Sequence, residues 1–179
     1  MITPNALQIH IDDAGIRYFD APEFLSGSMP PNLLANALAV LELADMVRRY
    51  VDEPLILTSG YRSKDVNRAV GGSSSSSHVY AAAVDLRVAK AHLRPAANLK
   101  LRLVGALVWI AYPNIVQGFG CYAQNIHLDV PLPIKPRRWW TSTRHPRPST
   151  AVLRGTWMRE LIDCTTPEEA RAKLESGSF

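Results

Sequence analysis

A carboxylate stands inside an apolar run. Val79 to Val88 reads as a buried strand except for Asp85 and Arg87. An ionised carboxylate in such a place is costly unless a partner charge or a metal holds it. His78 stands seven residues before Asp85, and a later apolar run, Asn125 to Val130, carries His127 and Asp129. Strand residues two apart share a face, and residues an odd number apart do not. His127 and Asp129 therefore point one way. His78 and Asp85 meet only if His78 lies in a loop feeding the strand that holds Asp85. Two imidazoles and one carboxylate make a three-ligand zinc set with a fourth position open for water. The candidate metal ligands come from His78, Asp85, His127 and Asp129. Of the His127/Asp129 pair, one can bind the metal while the other orients a ligand or takes a proton from water as general base.

The chain has 179 residues, 47% apolar and 20% charged, enough to bury a core without covalent staples. Cys121 and Cys164 are far apart and form no CxxC. They are too few for a disulfide framework and read as separate thiols. Met1-Ile2-Thr3-Pro4-Asn5 has neither a basic n-region nor an apolar h-region, so no signal peptide is expected. The longest apolar run, Leu101 to Tyr112, is interrupted by Arg102 and falls short of the roughly 18 residues of a membrane span. The net charge of +4, with arginine predominating, suits an anionic partner. Nucleic acid, a membrane surface and cell-wall polymer all qualify on charge alone.

In chain order, the alternation at Gln8-Ile9-His10-Ile11 predicts a short strand, and Asp12-Asp13-Ala14-Gly15 a turn. After Pro30-Pro31-Asn32, the spacing of Leu33, Leu34, Ala37, Leu38, Leu41, Ala44, Asp45 and Val47 predicts a core helix that Arg48-Arg49 close. Leu55 to Thr58 is a compact strand. Ser63 caps a short helix from Lys64 to Val70, stopped by Gly71-Gly72. The serine run from Ser73 to Ser77 has the composition of a linker, yet it lies between a strand–helix unit and the His78–Asp85 segment. Pro95 breaks the chain, and Leu99 to Tyr112 has helical spacing. Val116–Tyr122 and Asn125–Val130 predict an antiparallel hairpin turning at Ala123-Gln124. Pro131 to Pro148 reads as an extended surface segment, in which Arg137, Arg138, Arg144 and Arg147 form a solvated face. Trp157–Ile162 and Pro167–Leu174 read as helices, the second with Thr166 as cap.

These residues also match a family. Ser59-Gly60-Tyr61-Arg62-Ser63, followed by Asn67 and Val70-Gly71-Gly72, resembles the SGYRS…N…VGG signature of the zinc D-Ala-D-Ala peptidases, peptidase family M15. Ser76-x-His78-x-x-Ala81-x-Ala83-x-Asp85 resembles SxHxxGxAxD, and Gly118-x-Gly120-x-Tyr122 with His127-x-Asp129 resembles GxGxY…HxD. The resemblance implies an α+β fold, a small antiparallel β-sheet flanked by helices in the manner of DD-peptidase zinc folds. It implies one peptidase domain over residues 1–179, with a family-like core of about 24–139 and an extended and helical segment over 140–179. One zinc ion would sit on His78, Asp85 and His127, with Arg62 stabilising the oxyanion and Asp129 as the candidate base. Ser76 would contact substrate. Tyr61 and Trp139 are further substrate-contact candidates, with packing beside the strand as the alternative for Tyr61 and a cap on the core as that for Trp139. The substrate would be a peptidoglycan stem or cross-link peptide, cut at a D-residue by a carboxypeptidase or murein endopeptidase acting as a monomer. Such an enzyme would wait in the bacterial cytoplasm until release, or be a phage-encoded endolysin acting in the periplasm or cell wall.

Two positions depart from the family pattern. Ala81 replaces the glycine of HxxG, and Gln124 stands where many relatives carry an acidic base. They motivate a rival reading as a peptidoglycan-binding or virion structural module with a degenerate site. A nucleic-acid binder built on the arginine-rich segment is not expected, since it leaves the His/Asp set unexplained.

Overall fold

The computed structural model describes residues 1–122, 124–142, 163–164 and 166–177, with the backbone alone for 139–142. The first element corrects the sequence reading: Pro4–Asp13 is a helix, α1, where Gln8 to Ile11 predicts a strand. Thr3 caps it, its hydroxyl accepting the Ala6 N–H at 3.3 Å, and Pro4 occupies the first turn, where a missing N–H costs nothing. Leu7 and Ile11, one helical repeat apart, are the buried pair. Four alternating residues are too few to separate the two periods.

After the short helix α2 (Ala21–Phe24) comes α3 (Leu34–Val51), which buries Ala37, Leu41, Ala44 and Val47 as the spacing predicts, and Val40 besides. Asp45 is buried too. Its carboxylate accepts the backbone N–H groups of Arg17 and Tyr18 at 2.9 and 3.1 Å and pairs with Arg49 at 3.2 Å. It thus ties the loop after α1 to α3. Strand β1 (Leu55–Ser59) and helix α4 (Lys64–Ala69), capped by Ser63, follow as expected. Pro95 does not break the chain but opens α5 (Pro95–Ala111), at a position where its fixed φ suits a helix start.

The sheet runs β1-β2-β4-β3-β5. Its first four strands, with β2 at Ala83–Val88, β3 at Gly118–Tyr122 and β4 at Asn125–Asp129, are antiparallel. β5 (Arg138–Ser142) adds in parallel beside β3, so part of the extended surface segment is a strand of the sheet. The architecture is α+β, a small antiparallel sheet flanked by helices.

Gly105 lets α5 sit close on this sheet. A β-carbon there would stand 2.8 Å from both Ile126 Cδ1 and Phe119 Cε2, inside any real contact. The core joins Leu101, Val104, Leu107 and Val108 of α5 to Val84, Leu86, Ile126 and Leu128 of the sheet and to the inner face of α3. Helix α6 (Pro167–Ser176), with Thr166 in a capping box, adds Ala170 and Leu174 to it. The expected helix at Trp157–Ile162 lies outside the described residues. Cys121 and Cys164 are free thiols. Among the described residues no helix is long and apolar enough to cross a membrane.

Candidate metal centre

Strand register brings two of the three expected ligands face to face. Asp85 of β2 is the antiparallel partner of His127 in β4. His78 arrives from outside the sheet, on the short 3-10 turn Ser77–Tyr80. The chain then reverses at Ala81, whose φ of 52° and ψ of 24° are left-handed, and enters β2. This is the loop-then-strand arrangement that the odd spacing of His78 and Asp85 demands. It also explains the family glycine. An L-residue there bears about 1–2 kcal/mol of strain, which the fully buried Ala81 methyl offsets only in part, by roughly 0.8 kcal/mol for one methyl's worth of apolar surface.

The donor atoms of His78, Asp85 and His127 all lie within 4.8 Å of one another. His78 Nδ1 is 2.7 Å from the Gly60 carbonyl oxygen. A carbonyl only accepts, so Nδ1 carries the proton and Nε2 turns its lone pair to the cluster, 3.4 Å from Asp85 Oδ2. His127 is held the opposite way round. Its Nε2 faces Asp129 Oδ2 at 3.2 Å, and its Nδ1 faces Asp85 Oδ1 at 2.8 Å. With Nε2–H given to Asp129, the Nδ1 lone pair would point at a carboxylate unless a proton or a metal ion lay between them. The donor set therefore fits a cation: each imidazole has its far nitrogen engaged and its near nitrogen aimed at a shared carboxylate. Burial opposes charge on both members. Even so, where a proton takes the place of the ion, hydrogen bonds from the imidazolium forms of His127 and His78 hold the Asp85 carboxyl well below the usual carboxylate range, and Asp129 and Asp85 raise His127 above the usual imidazole value.

Arg62 completes the cluster's edge. Its Nη2 donates to Asp85 Oδ2 at 3.1 Å and its Nε to Ser59 Oγ at 2.8 Å, so the guanidinium is fixed beside the would-be ion. Asp129 lies behind His127 with no solvent exposure. Its Oδ2 accepts from Ser77 at 3.0 Å and from Arg138 Nη2 at 2.5 Å, besides His127. Gly118 makes room for it, since a β-carbon there would stand 2.5 Å from either carboxylate oxygen.

A cleft of about 840 Å³ opens over this cluster. Arg62, Ser76, His78, Asp85 and His127 line it, together with other serines of the Ser73–Ser77 run. That run is a wall of the cleft and not a linker. Asp129 and Tyr61 do not line it, and Tyr61 packs against the core instead. The Trp139 backbone pairs with Phe119 in the sheet, and its side chain lies outside the described residues. Gln124 ends the turn before β4, also away from the lining.

The lining also holds residues that the sequence reading did not assign to the site: Lys135, Arg138, Tyr122 and Ile134. Two of the arginines expected to form a solvated face are docked. Arg138 is paired with Asp129. The Arg137 guanidinium lies 3.8 Å over the Trp109 ring and donates to the Trp109 carbonyl. Arg144 and Arg147 lie outside the described residues. A basic residue a few positions past the HxD pair was the available signal for Lys135.

A two-layer α+β frame that gathers two imidazoles, a carboxylate and a fixed guanidinium in an open cleft defines a metallohydrolase class. The family model described as Peptidase M15 matches residues 19–129, well over half the chain, and the protein belongs to that family of metallopeptidases. No curated protein matches the chain.

Proposed function

We propose that this protein is a zinc-dependent peptidase that hydrolyses peptidoglycan stem or cross-link peptides at a bond involving a D-amino acid. The observation that carries the reading is the opposed mounting of the two imidazoles, Nε2 of His78 and Nδ1 of His127 converging on Asp85 while Gly60 O and Asp129 hold their far nitrogens. His78, Asp85 and His127 would hold the ion. Zinc in such a site supplies Lewis acidity toward a peptide carbonyl and acidifies a bound water. The chain's own groups do the rest. Arg62, held by Ser59 and Asp85, presents a guanidinium to negative charge developing on the carbonyl oxygen. Ser76, on the cleft wall, offers a hydroxyl to the peptide backbone. Asp129 is a positioning residue, because a fully buried carboxylate carrying three hydrogen bonds is poorly placed to take a proton from solvent in the cleft. The peptidoglycan substrate is supported by the family motifs and by a cleft lined with Arg62, Lys135 and Arg138, which suits the carboxylate-rich stem peptide. On this reading the enzyme works at the cell wall.

One observation favours a second reading, a peptidoglycan-binding module with a degenerate site. Among the described residues that line the cleft, Asp85 is the single carboxylate, so no separate acidic base faces the ion. Zinc stoichiometry combined with mass spectrometry of digested sacculi separates the two. One equivalent of zinc with released muropeptides, both lost in His78→Ala, supports the peptidase. Binding to sacculi without cleavage supports the module.

A further inference from the structure

Lys135 is a cation that neither the metal cluster nor the oxyanion role uses. Of the three cationic residues lining the cleft, Arg62 is paired with Asp85 and Arg138 with Asp129. Among the described residues no carboxylate lies within ion-pair distance of Lys135. Its ammonium instead donates to Ser77 Oγ at 2.8 Å, while the Ser77 hydroxyl spends its own hydrogen on Asp129. One of three N–H donors is thereby occupied. Partial burial and the nearby Arg138 charge push the Lys135 pKa down, against the opposing pull of the Asp129 charge.

The position is built rather than incidental. The Gln117 side chain staples the loop that carries Lys135, donating to the carbonyls of Leu132 and Lys135 at 3.0 and 2.5 Å and accepting the Leu132 N–H at 2.8 Å. Pro133 and Pro136 stiffen the same loop. Ile134 stands beside Lys135 on the cleft wall, 60% exposed, as an apolar surface next to the charge. Lys135 lines the same cleft as Arg62, His78, Asp85 and His127, so whatever it binds there shares that cleft with the reacting centre.

We propose that Lys135 recognises the free α-carboxylate of the residue that leaves as the amine, making this site specific for peptides whose leaving residue carries that group. The proposal rests on the peptidase reading. On the acyl side of the scissile bond, the equivalent carboxyl is the scissile carbonyl itself. The leaving residue's carboxylate is thus the nearest anion to the reaction, one carbon from the departing nitrogen. A small side chain on that residue would rest on Ile134.

Two peptides that differ at one group test this: an N-acyl-D-Ala-D-Ala as the free acid, and its C-terminal amide, given to the zinc-loaded protein. The free acid should be preferred by about 10- to 100-fold in kcat/KM, the range of one charge-assisted hydrogen bond. Lys135→Met should erase that preference by raising KM for the acid alone, and Lys135→Arg should restore most of it. Equal cleavage of acid and amide by the wild type overturns the proposal and leaves the peptidase reading standing. So does a Lys135→Met loss that falls on kcat for both peptides alike, which would mark a proton donor or a structural role. If neither peptide nor sacculi is cut, the peptidase reading fails. Calorimetric binding of the uncut acid then decides Lys135 separately: a tenfold weaker Kd in Lys135→Met upholds carboxylate recognition, and an unchanged Kd overturns it.

Discussion

Asp129→Asn asks what the buried carboxylate behind His127 does. The substitution keeps the shape and removes the charge. Asn can still turn its carbonyl oxygen to Ser77, His127 and Arg138, the three donors now on Oδ2. Its NH2 group then falls where Oδ1 lies, a buried atom with no hydrogen-bond partner, against Gly118. Bonds to a charged acceptor contribute about 1.5–3 kcal/mol and neutral ones about 0.5–1.5. Two of the three donors, Arg138 and His127, feel that difference most, so the expected destabilisation is about 2–3 kcal/mol. The His127 ring also loses the anion that makes it a better ligand, and zinc affinity should fall about 10- to 100-fold. Competition against a chelator of known affinity reads the metal term, and thermal melting of the metal-free protein reads the stability term. At saturating zinc, turnover should recover to within about tenfold of wild type. A protein that binds zinc with wild-type affinity yet loses about 10²–10⁴ in kcat would refute this reasoning and make Asp129 the base.

Further outcomes follow from the same geometry. Arg62→Ala should keep one zinc equivalent while kcat falls about 10²–10³-fold, as for loss of one oxyanion donor; the pairing of kinetics with metal analysis checks it. Gly118→Ala forces a β-carbon into the Asp129 carboxylate, so zinc affinity should drop by at least as much as in Asp129→Asn, read by the same competition. Asp129 should also make the metal-free protein acid-sensitive. Burial alone would raise its carboxyl pKa, but His127, Arg138 and Ser77 hold it below the usual carboxylate value. A depressed folded-state pKa means stability that is present above about pH 4 and lost as pH falls through the lower folded value. Melting temperatures of wild type should therefore decline below about pH 4, and those of Asp129→Asn should decline less.

Much of this was legible from residue order. Periodicity located α3, the body of α5 and the β3–β4 hairpin, since those segments are long or strongly patterned. The convergence of His78, Asp85 and His127 was legible because a largely enclosed carboxylate needs partners, and among the described residues those of Asp85 are His78, His127 and Arg62. The failures share a cause. Gln8 to Ile11 is too short for its alternation to exclude a helix, and only the Thr3 cap and Pro4 decide it. The roles of Arg138 and Lys135 depend on which way a proline-rich loop folds back, and nothing local announces the Gln117 staple that fixes it. Arg138 reads as surface because its partner, Asp129, sits nine residues away on a strand whose inner face the sequence cannot orient.

The site's layout follows from parity in the strands. Asp129 lies two residues beyond His127 and so shares its face of β4, where Ala83 of β2 and Gly118 of β3 are its register partners on either side. Both neighbours are small, and that leaves a slot just wide enough for a carboxylate. The slot in turn admits only groups able to donate to it: the His127 ring from its own strand, Ser77 from the turn that carries His78, and Arg138 from the start of β5. One buried anion thus connects β4, the histidine-bearing turn and the edge strand. A change of side-chain size at either small neighbour should act on the metal through His127, without touching a ligand directly.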